Sequence, residues 1–594
     1  MKIRFGKIFW PSFIAALIVS ILGLVLFFLT VGGLISSISD NEPNKIELKD
    51  KTVLHLTLDQ KVGERTRTEF SKTSFEFNSS VGLSELLYGF KVASSDDKIA
   101  GIFVDLKGAK FGYTTAKEIR DAINEFEKSG KFVIAYNSGE VISQKSYYVA
   151  SAANTNYAFP TSSFEMIGLG VELMYFKNTL DKLGVEMQVI RGKNNDFKSA
   201  VEPFFRSNMS DSSRLQIERY LTSMWNDIKS AISKDRKIEK ELIETLANKA
   251  SIRRAEEAKQ YKLIDDALYR DQVIDQIKKK LNVSKDDPIN FYAFEKYAKK
   301  KFRKDQFIQE VDSPEIAVIL AEGEISKNGE GLTSTDICKL FQDVRKNKSV
   351  KAVVFRINSP GGSALASDEI WREVVLTQKE KKVIVSMGDV AASGGYYIAA
   401  PADRIFAEST TITGSIGVFG VIPFTGKMLN DKLGLTFDRA TTNNHSVLSL
   451  NKKLTTEEMS IIQEEVDKIY DDFLSRVASG RKMSKEQVNR LARGRVWTGQ
   501  DALKNGLVDE IGGIKSAIKY AQEITKSDAD KILYYPTYEE EPFEMILEKL
   551  KEDDMIKGAE VTLSQELIDF YAKLKKLEKF NGMQMRLPYE LIIN

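Results

Sequence analysis

From Val350 to Ala400 the chain reads VKAVVFRINSPGGSALASDEIWREVVLTQKEKKVIVSMGDVAASGGYYIAA. The apolar run VKAVVFRI has the composition of a buried parallel strand. A glycine turn follows, then SDEIWREVVLTQKEKK with helical spacing, then a second strand, KVIVSMGDV, and a second glycine-bearing turn that opens GGYYIAAPADRIFA. Strand, helix, strand is the alternation of an α/β unit with a mostly parallel sheet.

Working outward, the same grammar occurs earlier. IAGIFVDL (from Ile99) answers VKAVVFRI, TAKEIRDAINEFEKSG answers the helix, KFVIAYNSGE answers KVIVSMGDV, and SYYVASAANTNYA answers GGYYIAAPADRIFA. TVLHLTL (from Thr52) and EIAVILAEGEI (from Glu315) open the two copies. DKLG recurs at Asp181 and Asp431, and QYKLIDDAL (from Gln260) answers KNGLVDEIG (from Lys504), at an offset of about 250 residues throughout. The expected organisation is a first αβ copy over 51–290, a charged linker over 291–314, a second copy over 315–525 and a C-terminal extension over 526–594. Residues 1–50 would form a cytoplasmic stub and a membrane anchor. A chain of 594 residues exceeds what one core sustains, so at least two domains are expected.

The anchor follows from hydropathy and charge. No charged residue lies between Ile8 and Ser39, and FIAALIVSILGLVLFFLTVGGLI exceeds the roughly 20 residues a spanning helix needs. Lys2, Arg4 and Lys7 precede it and Asp40 and Glu42 follow, which predicts a cytoplasmic N-terminus with the remainder outside the cytoplasm. The length, and the lack of an A-x-A-like exit, favour an uncleaved anchor over a cleaved signal peptide.

Composition narrows the chemistry. A net charge of +2 implies no bulk attraction to nucleic acid, and the single cysteine, Cys338, excludes an intrachain disulfide framework and a cysteine zinc cluster. No phosphate loop or metal-ligand spacing stands out, and no cofactor is expected. The two histidines sit in an apolar strand (His55) and a polar loop (His445), away from any nucleophile motif, so a Ser-His-Asp triad has no candidate. A hydrolase without metal would then turn to lysine as its base. Ser393 lies between small residues after a strand and at a helix start, where first-turn N–H groups bind developing negative charge. Gly361 and Gly362 follow another strand end and free the backbone to aim N–H groups at an oxyanion. Aligning the copies puts Gln144 opposite Ser393, and Lys110 and Phe111 opposite Gly361 and Gly362, so the first copy lacks both features.

NSPGG, ASGGYY, TGSIGV (from Thr413) and DFKSAVEPF in the first copy together resemble the long form of bacterial signal peptide peptidase, the protease IV family. The resemblance runs from the N-terminal anchor to about Lys526. It implies two tandem copies of the Clp protease/crotonase fold and a Ser/Lys dyad, with Ser393 as nucleophile and Lys198 as general base. It further implies an inner-membrane enzyme facing the periplasm, signal-peptide remnants and other apolar peptides as substrates, and a homo-oligomer, expected as a tetramer. The second copy has no lysine from Leu433 to Asn451, the counterpart of the Lys198 segment. Ser415 is expected to orient the lysine amine, and the N–H groups of Gly361 or Gly362 and of Gly394 to hold the oxyanion. The alternatives are a crotonase-type acyl-CoA enzyme, which needs an adenine-nucleotide site, and a non-catalytic membrane scaffold.

Overall fold

The computed structural model describes residues 48–71, 76–108, 110–192, 194–307, 313–329, 331–528, 531–536 and 584–586. The expected anchor over residues 8–39 lies outside them. Among the described residues no helix is long and apolar enough to cross a membrane.

The first copy builds a six-stranded sheet from β1 (Thr52–Leu58), β2 (Ile99–Leu106), β3 (Phe132–Asn137), β4 (Thr155–Ala158), β5 (Asp266–Ala267) and β6 (Phe291–Ala293). Its order is β5-β4-β3-β2-β1-β6, and every pairing is parallel. The second copy repeats it with β7 (Ile316–Glu322), β8 (Ala352–Ser359), β9 (Lys382–Ala392), β10 (Arg404–Ala407), β11 (Glu510–Ile511) and β12 (Ile532–Tyr535), in the order β11-β10-β9-β8-β7-β12. Both copies are thus α/β with mostly parallel sheets. The central strands β2 and β8 are buried along almost their whole length, which is why they read as unbroken apolar runs.

The correspondence extends to single hydrogen bonds. Four helices carry it: α1 (Gln144–Ala150) and α2 (Asp211–Arg236) in the first copy, α3 (Gly394–Ala399) and α4 (Thr456–Arg481) in the second. On α1, the Tyr147 hydroxyl donates to the carbonyl of Leu263 at 2.8 Å; on α3, Tyr396 donates to Leu507 at 2.8 Å. Asp265 accepts from the N–H of Asn156, and Asp509 from that of Ile405. The 26-residue helices α2 and α4 start on capping hydroxyls, Ser210 and Thr455, and end on left-handed lysines, Lys237 and Lys482.

Residues 291–314, expected to link the copies, supply β6 and the helix Phe294–Phe302, whose Phe294, Tyr297 and Phe302 are fully buried. The stretch expected as an extension supplies the edge strand β12. From Lys49 onward, the described residues belong to one compact unit. Among the features that join the copies within it are two that matter here. Arg356 of β8, fully buried, pairs with Glu64 (2.9 Å) and Glu118 (2.7 Å) of the first copy. Strand Glu186–Arg191 of the first copy pairs antiparallel with Phe419–Phe424 of the second, residue for residue from Glu186 opposite Phe424 to Arg191 opposite Phe419. That second joint carries the chain after Arg191 into the second copy.

Candidate active site

The segment that leaves Arg191 is tied down at each step. The N–H of Phe197 donates to the carbonyl of Arg493 at 3.0 Å, and the N–H of Lys198 to that of Asn195 at 3.1 Å. Gln216, a buried residue of α2, donates to the carbonyl of Phe197 and to the Ser199 hydroxyl, and accepts from the N–H of Val496. Gly494, at φ 76°, closes the other side; a Cβ there would lie 2.5 Å from the Cβ of Lys198, so only glycine allows the approach. These contacts aim the Lys198 side chain inward, with no exposed surface.

Ser393 stands between β9 and α3. The distal half of β9 pairs with Ile412–Gly414, and the N–H of Ser393 donates to the carbonyl of Gly414 at 2.8 Å. Its carbonyl accepts from Tyr397 at 2.9 Å. Between these restraints Ser393 adopts φ 56°, ψ −116°, a conformation costly for a residue with a side chain, on the order of 1–3 kcal/mol. Ser415 is likewise left-handed at φ 50°, its N–H held by the carbonyl of Arg495 at 2.7 Å.

The result brings three of the expected residues together. Lys198 Nζ lies 2.8 Å from Ser393 Oγ, 3.0 Å from Ser415 Oγ and 3.0 Å from the Ser415 carbonyl oxygen. All three side chains are buried. Burial pushes the Lys198 pKa well below the ordinary lysine value.

The glycines converge on the same place. Gly361 has φ 99°, and a Cβ on it would sit 2.7 Å from the backbone nitrogen of Gly394, the first residue of α3. The N–H of Gly361 donates to Ser359 Oγ at 3.2 Å. In the first copy Gln144 does occupy the start of α1, with its amide spent on the N–H of Gly168 and the Tyr113 hydroxyl.

The histidines and the cysteine have other surroundings. His55 Nε2 lies 3.6 Å from Asp105 and its ring stacks on Phe103; His445 lies beside Glu457 and Glu458. Cys338 is half-buried on the helix Ser334–Lys346, its thiol pushed up to about 11 by burial. No group of residues suited to a metal ion occurs among the described residues. Sequence reasoning missed Asn195, Gln216 and Gly494. None stands in a motif, and only the helical register of Gln216 on an otherwise regular apolar face could have marked it.

A family model described as peptidase family S49 matches residues 125–284 and 376–528, the first span holding Lys198 and the second Ser393 and Ser415. Protease 4 of Haemophilus influenzae is 36% identical over 75% of this chain and 73% of its own length. The chloroplastic serine protease SPPA of Arabidopsis thaliana is 33% identical over 80% and 69%, and Protease 4 of Salmonella typhi 34% identical over 76% and 74%. Among solved structures, a mutant ClpP1 of Listeria monocytogenes aligns at 17% identity over 35% of this chain and 96% of its own, with a TM-score of 0.25, too low to carry an argument. With more than half of its residues inside the family model and relatives this similar across most of their length, the chain belongs to peptidase family S49 and is a serine peptidase of the protease IV type.

Proposed function

We propose that the chain is a membrane-anchored endopeptidase with a Ser393/Lys198 dyad that degrades signal-peptide remnants and other apolar peptides through an acyl-enzyme. The observation that supports it best is the 2.8 Å approach of Lys198 Nζ to Ser393 Oγ in a fully buried setting. A neutral amine has two N–H groups and one lone pair. Its N–H groups go to the Ser415 carbonyl and hydroxyl, and its lone pair faces the Ser393 O–H. Lys198 takes that proton as Ser393 attacks the scissile carbonyl. The N–H groups of Gly362 and Gly394 receive the oxyanion, Lys198 protonates the leaving amine, and water then hydrolyses the ester. Ser415 keeps the amine aimed at the nucleophile.

The substrate class rests on likeness and on address. A peptidase anchored by residues 8–39, its body outside the cytoplasm at the inner membrane, meets the apolar segments left in the bilayer after secretion. The repeat supports homo-oligomerisation. Glu186–Arg191 and Phe419–Phe424 pair within the chain, whereas their counterparts one repeat away, near 436–441 and 169–174, form no strand among the described residues. Those segments expose Met174 and Phe437, with Leu435 exposed just before the second of these. Pairing them between neighbouring subunits would continue the same contact from chain to chain. A single-chain mass from light scattering in detergent would remove the oligomer.

The decisive experiment is mass spectrometry of the products from a synthetic signal peptide. Wild type should cut it; Ser393→Ala and Lys198→Ala should each lower kcat by at least about 1,000-fold with unchanged circular dichroism. Near wild-type turnover by either variant overturns the dyad.

A further inference from the structure

One side chain ties the lysine to the residue that orients it. Gln216 lies in the second turn of α2 and is 1% exposed, so its amide must find partners within the protein. Its Nε2 donates to the carbonyl of Phe197 and to Ser199 Oγ, both at 3.0 Å, and these residues flank Lys198 on either side. Its Oε1 accepts from the N–H of Val496 at 3.2 Å. A backbone carbonyl only accepts and a backbone N–H only donates, so these partners leave the amide a single orientation, with both N–H groups and the oxygen in use.

The Arg495–Val496 peptide carries the tie onward. Its N–H goes to Gln216, and its carbonyl accepts from the N–H of Ser415 at 2.7 Å. The group is planar and rigid, so it passes position from one partner to the other. Ser415 in turn meets Lys198 Nζ through its carbonyl and its hydroxyl, each at 3.0 Å. The hydrogen bonds thus close a circuit from Lys198 to Ser415, to the Arg495–Val496 peptide, to Gln216 and back to the two neighbours of Lys198. The repeat supplies a comparison. With the caps Ser210 and Thr455 aligned, Ile228 and Ile232 of α2 match Phe473 and Val477 of α4, all four fully buried. In the same register Gln216 matches Ile461, which is 51% exposed. Packing of the long helix therefore does not itself call for an amide here, and only the copy that holds the lysine has one.

We propose that Gln216 is a positioning residue of the peptidase reaction, one that holds Lys198 and Ser415 in register so that the amine faces Ser393. The proposal rests on the Ser393/Lys198 reading above. Without the amide, Phe197 and Ser199 lose their shared donor, and the short turn Ser199–Val201 that starts at Lys198 loses its anchor to α2. A displacement on the order of 1 Å at a reacting group costs up to about 100-fold in rate. The steps affected are the passage of the Ser393 proton to Lys198 during attack and the passage of a water proton to Lys198 during release of the acyl group. Gln216 has almost no exposed surface to offer a peptide, so substrate binding is untouched.

The test compares Gln216→Met, Gln216→Glu and Ser223→Ala with wild type and Lys198→Ala, each as the full chain in detergent at pH 8. Hydrolysis of an apolar reporter peptide is followed beside the rate and final extent of Ser393 labelling by a serine-directed fluorophosphonate. Gln216→Met removes all three contacts at similar length. It should lower both kcat per labelled site and the labelling rate by about 30–100-fold, with KM within about threefold and the final extent of labelling that of wild type. Gln216→Glu keeps the length and the Val496 contact, but once ionised has no donor for the Phe197 carbonyl. It should lose at least about tenfold in both rates, and it is the variant read if Gln216→Met labels no site. Ser223→Ala removes another contact of α2 with the strand Val496–Thr498, the 3.0 Å one to the Thr498 hydroxyl, away from residues 197–199. It should stay within about threefold of wild type. A kcat per labelled site within about threefold of wild type in both glutamine variants overturns the proposal. So does a loss in Ser223→Ala equal to that in Gln216→Met, or a loss carried by KM or by the labelled fraction alone, which would make Gln216 merely structural. An inactive Lys198→Ala beside a fast Gln216→Met overturns this inference and leaves the dyad standing, whereas Lys198→Ala turning over like wild type overturns both.

Discussion

Replacing Lys198 by methionine should change the protein's stability by an amount that depends on pH, moving in the variant's favour as pH falls. Burial holds the pKa of the amine well below the ordinary value, so between the folded and the unfolded pKa it is neutral in the folded chain and charged in the unfolded one. The sign follows from linkage. Above the unfolded pKa of about 10.4 both states hold a neutral amine and nothing is lost; as pH falls below it, the unfolded state takes up a proton that the folded state refuses. The folded state therefore loses about 1.4 kcal/mol per pH unit, or about 3 kcal/mol by pH 8. Lys198→Met removes that penalty but leaves the hydroxyls of Ser393 and Ser415 without their partner, an offset of about 1–3 kcal/mol that does not vary with pH. The slope, rather than the absolute difference, is thus diagnostic. A unit of this size unfolds with an entropy that converts 1 kcal/mol into roughly 1 °C. The gap in thermal midpoint between Lys198→Met and wild type should widen in favour of the variant by about 1.4 °C for each unit from pH 10 to pH 8, measured by scanning fluorimetry in one detergent. A constant gap, or one that narrows as pH falls, would mean that the folded lysine carries its charge, and the proposed general base would be lost.

Other perturbations probe the supports. Ser415→Ala removes one 3.0 Å contact to the amine and should lower kcat about 10–100-fold with KM nearly unchanged; an unchanged kcat would strip Ser415 of its orienting role. Gly494→Ala places a methyl group 2.5 Å from the Cβ of Lys198 at a left-handed position, so reporter hydrolysis should fall at least about 100-fold while stability falls by about 1–3 kcal/mol. Full activity in that variant would show that the lysine needs no such backing. Arg356→Met strands Glu64 and Glu118 without their cation and should cost about 3–5 kcal/mol. Burial raises Glu64 to about 7 even with Arg356 beside it, and loss of the cation raises it further, so that deficit should shrink as pH falls toward 7 and protons replace the missing charge; a deficit indifferent to pH would count against a buried carboxylate as its source.

Much of the fold was legible because its signals are local. β2 and β8 read as strands since both of their faces are covered, and the paired tyrosines of α1 and α3 aligned the copies because the first of each pair, Tyr147 and Tyr396, reaches the matching carbonyl of the repeat. Ser393 and the glycines were found from their positions at strand ends. Lys198 was not found by its own surroundings: the contacts that single it out come from Ser415, Arg493 and Gly494, hundreds of residues away, and only the family pattern supplied it. The helix Phe294–Phe302 was obscured by its lysines, although Phe294, Tyr297, Ala298 and Phe302 keep helical spacing beneath them.

The joint between Glu186–Arg191 and Phe419–Phe424 also has a consequence in time. During synthesis the lysine emerges early, but the strand that steers it toward the serine appears about 220 residues later, and the Arg493–Arg495 turn that backs it about 300 residues later. A nascent chain therefore begins to fold with its proposed cutting machinery still in two parts. Ribosome-stalled chains that end before Arg493 should accordingly escape labelling by a serine-directed acylating probe, and chains released at full length should not. Splitting the pair across the repeat acts as a safety catch that only synthesis past Arg495 releases.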